Sequence, residues 1–390
     1  MEPTEVNYAL DFLRYEDELP ENEHQVLMKV RRWAQESVKP DSYKYWNDCR
    51  FPEHLIEEIA ELDILGLVRQ KGYSHLLYGL VTAEIHRADG STGTFFSGQD
   101  SLFTSAVELL GSEELKKELV SDLYSLKTTG VLAITEPEAG SDVARGMRTT
   151  AKKVEGGWVL NGAKTWIGNA TFSDYVAVFA RDEADDQCKG FIVDTSAPGY
   201  RAEYMDGRIT VRSVQNSNVY LDNVFVPDRY KLEKANSFAA VNEIFRYARF
   251  VVGWQAVGLQ KAAVELALEY VTSREQFGKK LAKFQLVQSK LVTMESNLAT
   301  STATMARIAE LKDTGRVRNE TSAMAKALVT KLTRETVSLG RELMGGNGLL
   351  THNHMAKVFC DAEALYTYEG TYDINQLITG RALTGIQAFV

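Results

Sequence analysis

The chain reads as an α+β protein, mostly α: an N-terminal helical domain (residues 1–130), a central β-barrel-like domain (131–238) and a C-terminal four-helix bundle (239–390). Three observations lead there. Apolar residues recur with a helical period up to about residue 130. The pattern then breaks into short β-branched and aromatic runs separated by turn residues. From about residue 240 the helical period returns in longer stretches, long enough to pair as an antiparallel bundle.

In the first segment, "EHQVLMKVRRWAQESV" and "PEHLIEEIAELDILGL" carry apolar residues at i, i+3, i+4 and i+7, the second opened by Pro52. "SLFTSAVELLG" and "SEELKKELVSDLYSL" follow, divided by Gly111, with Ser112 as the N-cap of the second. In the middle segment "GVLAIT", "GWVLNGAKTWIG", "DYVAVFAR", "KGFIVDT", "RITVRS" and "NVYLDNVFVP" read as strands. Asn161-Gly162 predicts a type I′ hairpin, since both residues favour the positive φ that this turn requires. The third segment opens with "AAVELALEYVTSREQF" and continues through two longer helices, 284–315 and 319–346.

Composition narrows the function. With 390 residues, 44% of them hydrophobic, the chain can bury a large core. A net charge of -9 with scattered basic residues carries no footprint for nucleic acid. The three cysteines, Cys49, Cys188 and Cys360, form neither a disulfide framework nor a CxxC metal site. The acidic start "MEPTEVNYALDF" is unlike a targeting peptide, "GIQAFV" carries no peroxisomal signal, and no apolar run reaches the roughly 18 residues of a membrane span. A cytoplasmic protein is expected, or a mitochondrial-matrix one in a eukaryote.

Several stretches could carry chemistry. "ITEPEAGSD" (134–142) ends a strand with hydroxyls and a flexible Ala139-Gly140, and is equally an acidic surface turn. "KTWIGN" (164–169) places Trp166 near a strand end, as core or as a ring stacked on a planar cofactor. Arg274 in "SREQFG" could complement a helix C-terminus or hold a phosphate. "ELMGGNG" (342–348) could end a helix or let backbone approach a ligand; it is neither a P-loop nor a dinucleotide fingerprint. His352 and His354 lack the partners of a metal site, and none is expected. In "YTYEGTYDINQLITGR" (366–381), Glu369 stands among aromatics where a solvated carboxylate has no reason to be.

In this order and spacing, "ITEPEAGSD", "KTWIGN", "SREQFG", "LGRELMGGNG" and "YEGTYDINQLITGRALTGIQAF" resemble the acyl-CoA dehydrogenase family over essentially the whole chain. The last is most similar to the glutaryl-CoA dehydrogenase branch and its relatives, the plant short-chain acyl-CoA oxidases. The resemblance implies FAD, an acyl-CoA substrate, an electron-transferring flavoprotein as partner and a homotetramer. It makes Glu369 the base that takes the α-proton of the thioester while hydride passes from the β-carbon to flavin N5, giving a trans-2-enoyl thioester. The position from which another branch takes its base is Ala248 here. The enolate oxygen would be held by the Glu369 N–H and a flavin ribityl hydroxyl. Ile134, Thr135 and Trp166 would line the flavin ring. Arg274, Gln276 and Phe277 would reach the FAD of a neighbouring subunit. Gln285, Glu342, Gly345 and Gly346 would sit around its adenosine diphosphate, with Thr371 and Asp373 beside the base. Ser141, Arg249, Trp254, Tyr368 and Gly370 would fall on the substrate side.

Three departures qualify the resemblance. Glutaryl-CoA dehydrogenases bind the distal carboxylate with an arginine whose position is Gly93 here, and a nearby glutamate of that branch falls on His86. A dicarboxylate would then leave a desolvated, unpaired charge. Gly168 stands where most members carry a threonine, and "RQKGYSHLLYGL" (69–80) is a shorter version of a loop bordering the acyl pocket. The expectation is dehydrogenation of a short or branched, uncharged acyl-CoA, with Trp254 limiting pocket depth. Open alternatives are an oxidase using O2, a dehydrogenase of carrier-protein-bound acyl groups, a glutaryl-CoA dehydrogenase, and a flavin-binding relative without turnover.

Overall fold

The structure is a computed structural model that describes residues 10–387. Most of the acidic N-terminal stretch and the last three residues of "GIQAFV" therefore lie outside the described residues. The N-terminal helices are α1 Glu21–Trp33, α2 Ser42–Asp48, α3 His54–Leu62, α4 His75–Ala88, α5 Gly90–Ser97, α6 Ser105–Leu110 and α7 Glu113–Tyr124. Side-chain caps set three starts: Ser74 accepts from Leu77 N, Asp89 from Thr92 N, and Ser112 from Leu115 N as the sequence predicts. Helix α4 is buried from Leu77 through Ala88. Its Glu84 takes hydrogen bonds from Arg31 on α1 and Arg87 on α4. A buried carboxylate needs such partners to persist in the charged form.

The middle segment forms β1 Gly130–Ala133, the one-turn α8 Val143–Gly146, β2 Thr150–Val154, β3 Gly157–Ile167, β4 Tyr175–Asp182, β5 Cys188–Asp194, β6 Tyr200–Tyr204 and β7 Ser217–Pro227. Their curled sheet runs in the order β1-β4-β2-β3-β7-β6, with β5 also on β4. Two strand-level expectations fail. Asn161-Gly162 lies inside β3, and the hairpin turn falls at Glu155-Gly156, where Gly156 has φ 75°. Gly162 serves close approach instead: a Cβ there would stand 2.6 Å from Thr149 Oγ1, beside a register shift against β7. "RITVRS" is a loop, because the Arg208 guanidinium satisfies the carbonyls of Met205, Val211 and Val214 that a ladder would have used.

The C-terminal segment comprises α9 Phe238–Ser273, a hairpin of β8 Glu275–Gln276 and β9 Lys279–Lys280, α10 Gln285–Asp313, α11 Asn319–Leu343, α12 Met355–Thr367 and α13 Tyr372–Thr384. Helix α11 contacts α9, α10, α12 and α13. Two apolar cores result. One joins α1 and α3–α5 to the bundle; the other lies between the sheet and helices α6 and α7. Helix α9 belongs to both, giving Ala240, Val241 and Ile244 to the sheet core and Phe250 onward to the helical one. Arg249 sits at that junction.

Candidate active site at the junction of sheet and bundle

Glu369 occupies the four-residue connection between α12 and α13. Thr371 Oγ1 accepts from Ile374 N and caps α13, which fixes the end of the connection. Glu369 itself has φ 53° and Gly370 φ 87°, two successive left-handed residues. For a residue with a Cβ this conformation costs about 1–2 kcal/mol, so the surroundings must hold it. Lys326, completely buried on α11, does so by donating to Tyr368 O at 2.9 Å and Gly370 O at 2.6 Å. Asn375 Nδ2 adds bonds to Gly370 O at 2.8 Å and Thr371 O at 3.0 Å. The Tyr368 hydroxyl donates to Gln255 Oε1 on α9 at 2.5 Å.

The carboxylate held there is unlike a surface one. The residue keeps some exposure, but Glu369 Oε2 is sealed and has no hydrogen-bond partner among the described residues. Burial pushes its pKa up to about 7, against the opposing pull of Lys326 and Arg249. Burial likewise pushes Lys326 down to about 7 and Arg249 down to about 10. Arg249 donates to Asn319 Oδ1 at 2.7 Å, while its Nε has no partner among the described residues. The peptide N–H of Glu369 also donates to no acceptor among them. Beside the connection, Tyr366 and Tyr372 stack on each other with centroids 5.0 Å apart.

Next to this connection the helices α4, α5 and α9 approach closely at two glycines. Trp254 is fully buried against Gly79, where an added Cβ would lie 2.1 Å from the indole. Gly93 packs on His86: a Cβ there would stand 2.2 Å from Nδ1. His86 Nδ1 lies 2.9 Å from Thr82 O, which can only accept, so Nδ1 carries the hydrogen and Nε2 is bare. Burial pushes His86 down to about 4, so the ring is neutral at neutral pH.

The sheet presents a second group. Trp166 adopts φ 63° and leaves its indole 58% exposed, which removes the core reading of this residue. Beneath it, Lys164 Nζ donates to Ile134 O and to Glu136 Oε1, and Glu136 also takes the N–H groups of Arg148 and Thr149. Thr135 O accepts from Thr165 N at 2.9 Å, closing the strand end beside Trp166. Ser141 is exposed, and Gly168 faces Val214 and Asn216.

The remaining candidates lie elsewhere. Arg274 caps the end of α9 at the base of the β8–β9 hairpin, Gln276 ends β8, and Phe277 is at the tip, 93% exposed at φ 51°. Gln285 opens α10, Glu342 pairs with Lys290 across α10 and α11, and Gly345 and Gly346 are open to solvent. Asp373 is exposed in the first turn of α13. Arg249 and Arg274 are joined by one continuous helix, which places their backbones about 37 Å apart at 1.5 Å per residue. One chain therefore offers two separate halves.

Sequence reasoning overlooked Lys326, Asn375, Gln255, Lys164 and the pairing of Glu136. A signal existed for Lys326: in "AMAKALVT" it shares its helix face with the buried Ala323, Ala327 and Thr330. No helix among the described residues is long and apolar enough to cross a membrane.

Comparison with known proteins follows the same geometry. The N-terminal, middle and C-terminal domain models of acyl-CoA dehydrogenases match residues 20–127, 131–224 and 238–384. A glutaryl-CoA dehydrogenase structure from Mycobacterium smegmatis superposes with a TM-score of 0.94 at 32% identity, covering 98% of this chain and 99% of that one. The 3-(aryl)acrylate reductase of Clostridium sporogenes is 28% identical over 366 residues, covering 91% of this chain and 97% of its own length. The mitochondrial short-chain specific acyl-CoA dehydrogenase of Mus musculus is 28% identical over 370 residues, 93% of this chain and 90% of that protein. The chain belongs to the acyl-CoA dehydrogenase family of FAD-dependent oxidoreductases.

Proposed function

We propose that this enzyme dehydrogenates a short or branched, uncharged acyl-CoA to the trans-2-enoyl-CoA, with Glu369 as the base. The observation that carries the reading is the sealed, unpartnered Oε2 of Glu369 on a connection whose own N–H is also free. A thioester α-proton is weakly acidic, so its base must be desolvated and held in place. Oε2 takes that proton, and the Glu369 N–H is the donor available to the thioester oxygen as it gains charge. FAD, when bound, supplies the acceptor for the hydride leaving the β-carbon.

The residues present suit that cofactor. The left-handed, exposed Trp166 offers a flat ring, with Ile134 and Thr135 at the neighbouring strand end and Thr371 and Asp373 beside the base. Arg274, Gln276, Phe277, Gln285, Glu342, Gly345 and Gly346 would take the dinucleotide end. Arg274 lies about 37 Å along α9 from Arg249 at the junction, and we assign the hairpin residues to a neighbouring copy's cofactor. The bare aromatic at the hairpin tip supports such an assembly, a homotetramer in this reading, with an electron-transferring flavoprotein as the acceptor. Ser141, Tyr368 and Gly370 remain on the substrate side, with Arg249 behind the base.

The uncharged acyl group follows from Gly93 and His86. The imidazole fills the space beside Gly93, and it is neutral, so nothing there pairs a distal carboxylate. Anaerobic titration with butyryl-, isobutyryl-, hexanoyl- and glutaryl-CoA, followed by flavin absorbance, tests this. Bleaching by an uncharged chain and none by glutaryl-CoA is expected; preferential bleaching by glutaryl-CoA would overturn the pocket argument. Gly168, which brings no hydroxyl to the strand end after Trp166, favours a second reading as an oxidase. Rapid recolouring with peroxide on admitting air would select it.

A further inference from the structure

We propose that Lys326 is the positioning residue of the base: it locks the Tyr368–Gly370 connection in its left-handed form and, while protonated, places a positive charge beside Glu369. The proposal rests on Glu369 being the base. A fully buried lysine is costly unless its donors are used. Lys326 spends two of them on the carbonyls either side of Glu369, at 2.9 and 2.6 Å, rather than on the carboxylate. A lysine that merely filled space could bond carbonyls anywhere on the surrounding helices. This one bonds carbonyls 42 and 44 residues away, bracketing Glu369, the side-chain-bearing residue of the left-handed pair.

Its second effect is electrostatic. Glu369 faces Lys326 from α11, Arg249 from α9 and the phenol of its own neighbour Tyr368. Arg249 is tied to Asn319, away from the connection, so Lys326 alone both shapes the backbone and biases the carboxyl towards its charged form. Removing the cation therefore raises the pH at which Glu369 ionises.

Lys326→Met keeps most of the side chain's bulk, one atom shorter, and deletes both the charge and the donors. In the FAD-loaded protein, acyl-CoA binding is expected to stay within about twofold while anaerobic flavin reduction slows about 10²-fold, the scale of a 1 Å misplacement. The acid limb of the pH–rate profile moves to higher pH. So does the infrared carboxyl band of Glu369, identified by its loss in Glu369→Gln, a readout independent of turnover. Lys326→Arg, which restores the charge in another shape, returns the midpoint towards wild type without restoring the rate. A loaded Lys326→Met protein with the wild-type rate and midpoint would overturn the proposal, whatever its yield or stability. Should Lys326→Met not fold, Lys326→Arg decides: an unchanged KM with a lowered kcat supports positioning, and a wild-type kcat refutes it. A Glu369→Gln protein that is reduced normally would instead remove the base, leaving the two failures distinct.

Discussion

Two buried carboxylates each have a buried lysine at hand, and they have been put to opposite uses. In the sheet, Glu136 is saturated: Lys164 Nζ bonds it directly at 2.8 Å, and the N–H groups of Arg148 and Thr149 take the rest. Its pKa falls below the ordinary value because those partners outweigh burial. In the bundle, Lys326 bonds the backbone around Glu369 and leaves Oε2 bare, so burial prevails and the pKa climbs to about 7. The difference lies in where the lysine spends its hydrogen bonds. A saturated carboxylate is a strut; an unsaturated one held by its backbone is a reagent.

That contrast can be broken by exchanging losses. Glu369→Gln should cut anaerobic flavin reduction by about 10²–10⁴-fold, the usual contribution of a general base, while FAD content and melting temperature hold. Glu136→Gln or Lys164→Met should do the reverse. Removing one partner of a buried pair costs about 3–5 kcal/mol, read as a lower melting temperature and weaker FAD retention. The strut also has a pH signature. Because the folded pKa of Glu136 is depressed, its contribution is complete above the unfolded value of about 4.5 and is lost as pH falls through the lower folded value. Acid melts of wild type and Glu136→Gln should therefore converge.

A third carboxylate sharpens the rule with a smaller effect. Glu295 on α10 has neither oxygen bonded among the described residues, and burial together with Asp11 pushes its pKa up to about 8. A raised folded pKa makes ionisation destabilising, increasingly so as pH rises from about 4.5 to about 8. Glu295→Gln should raise the melting temperature slightly, and more at pH 9 than at pH 6. No change between the two pH values would show that the carboxylate is solvated after all.

How far the sequence could be read follows the same division. The order of helical, strand and helical segments was legible because period alone encodes it, and Glu369 stood out because a carboxylate among tyrosines has no bland explanation. The supports were not legible. Lys326 is one lysine in a polar-looking helix until the buried Ala323, Ala327 and Thr330 show which face it is on. Glu136 lay within a quoted motif, yet its role depends on Lys164, 28 residues away. Asn161-Gly162 carried a true glycine requirement for a different reason: Thr149 passes too close for a side chain. "RITVRS" has strand-forming residues, but Arg208 takes its carbonyls from within. Trp166 could be core or ligand platform by type, and only its left-handed, exposed placement separates the two.

The most direct test of the central claim is the pH dependence of anaerobic flavin reduction by butyryl-CoA, or by whichever acyl-CoA bleaches the flavin best. The expected result is a single acid limb with its midpoint at about 7, reduction falling tenfold per unit below it, and no such limb in the residual rate of Glu369→Gln. A rate that stays level down to pH 5, or an acid limb that survives in Glu369→Gln, would contradict it.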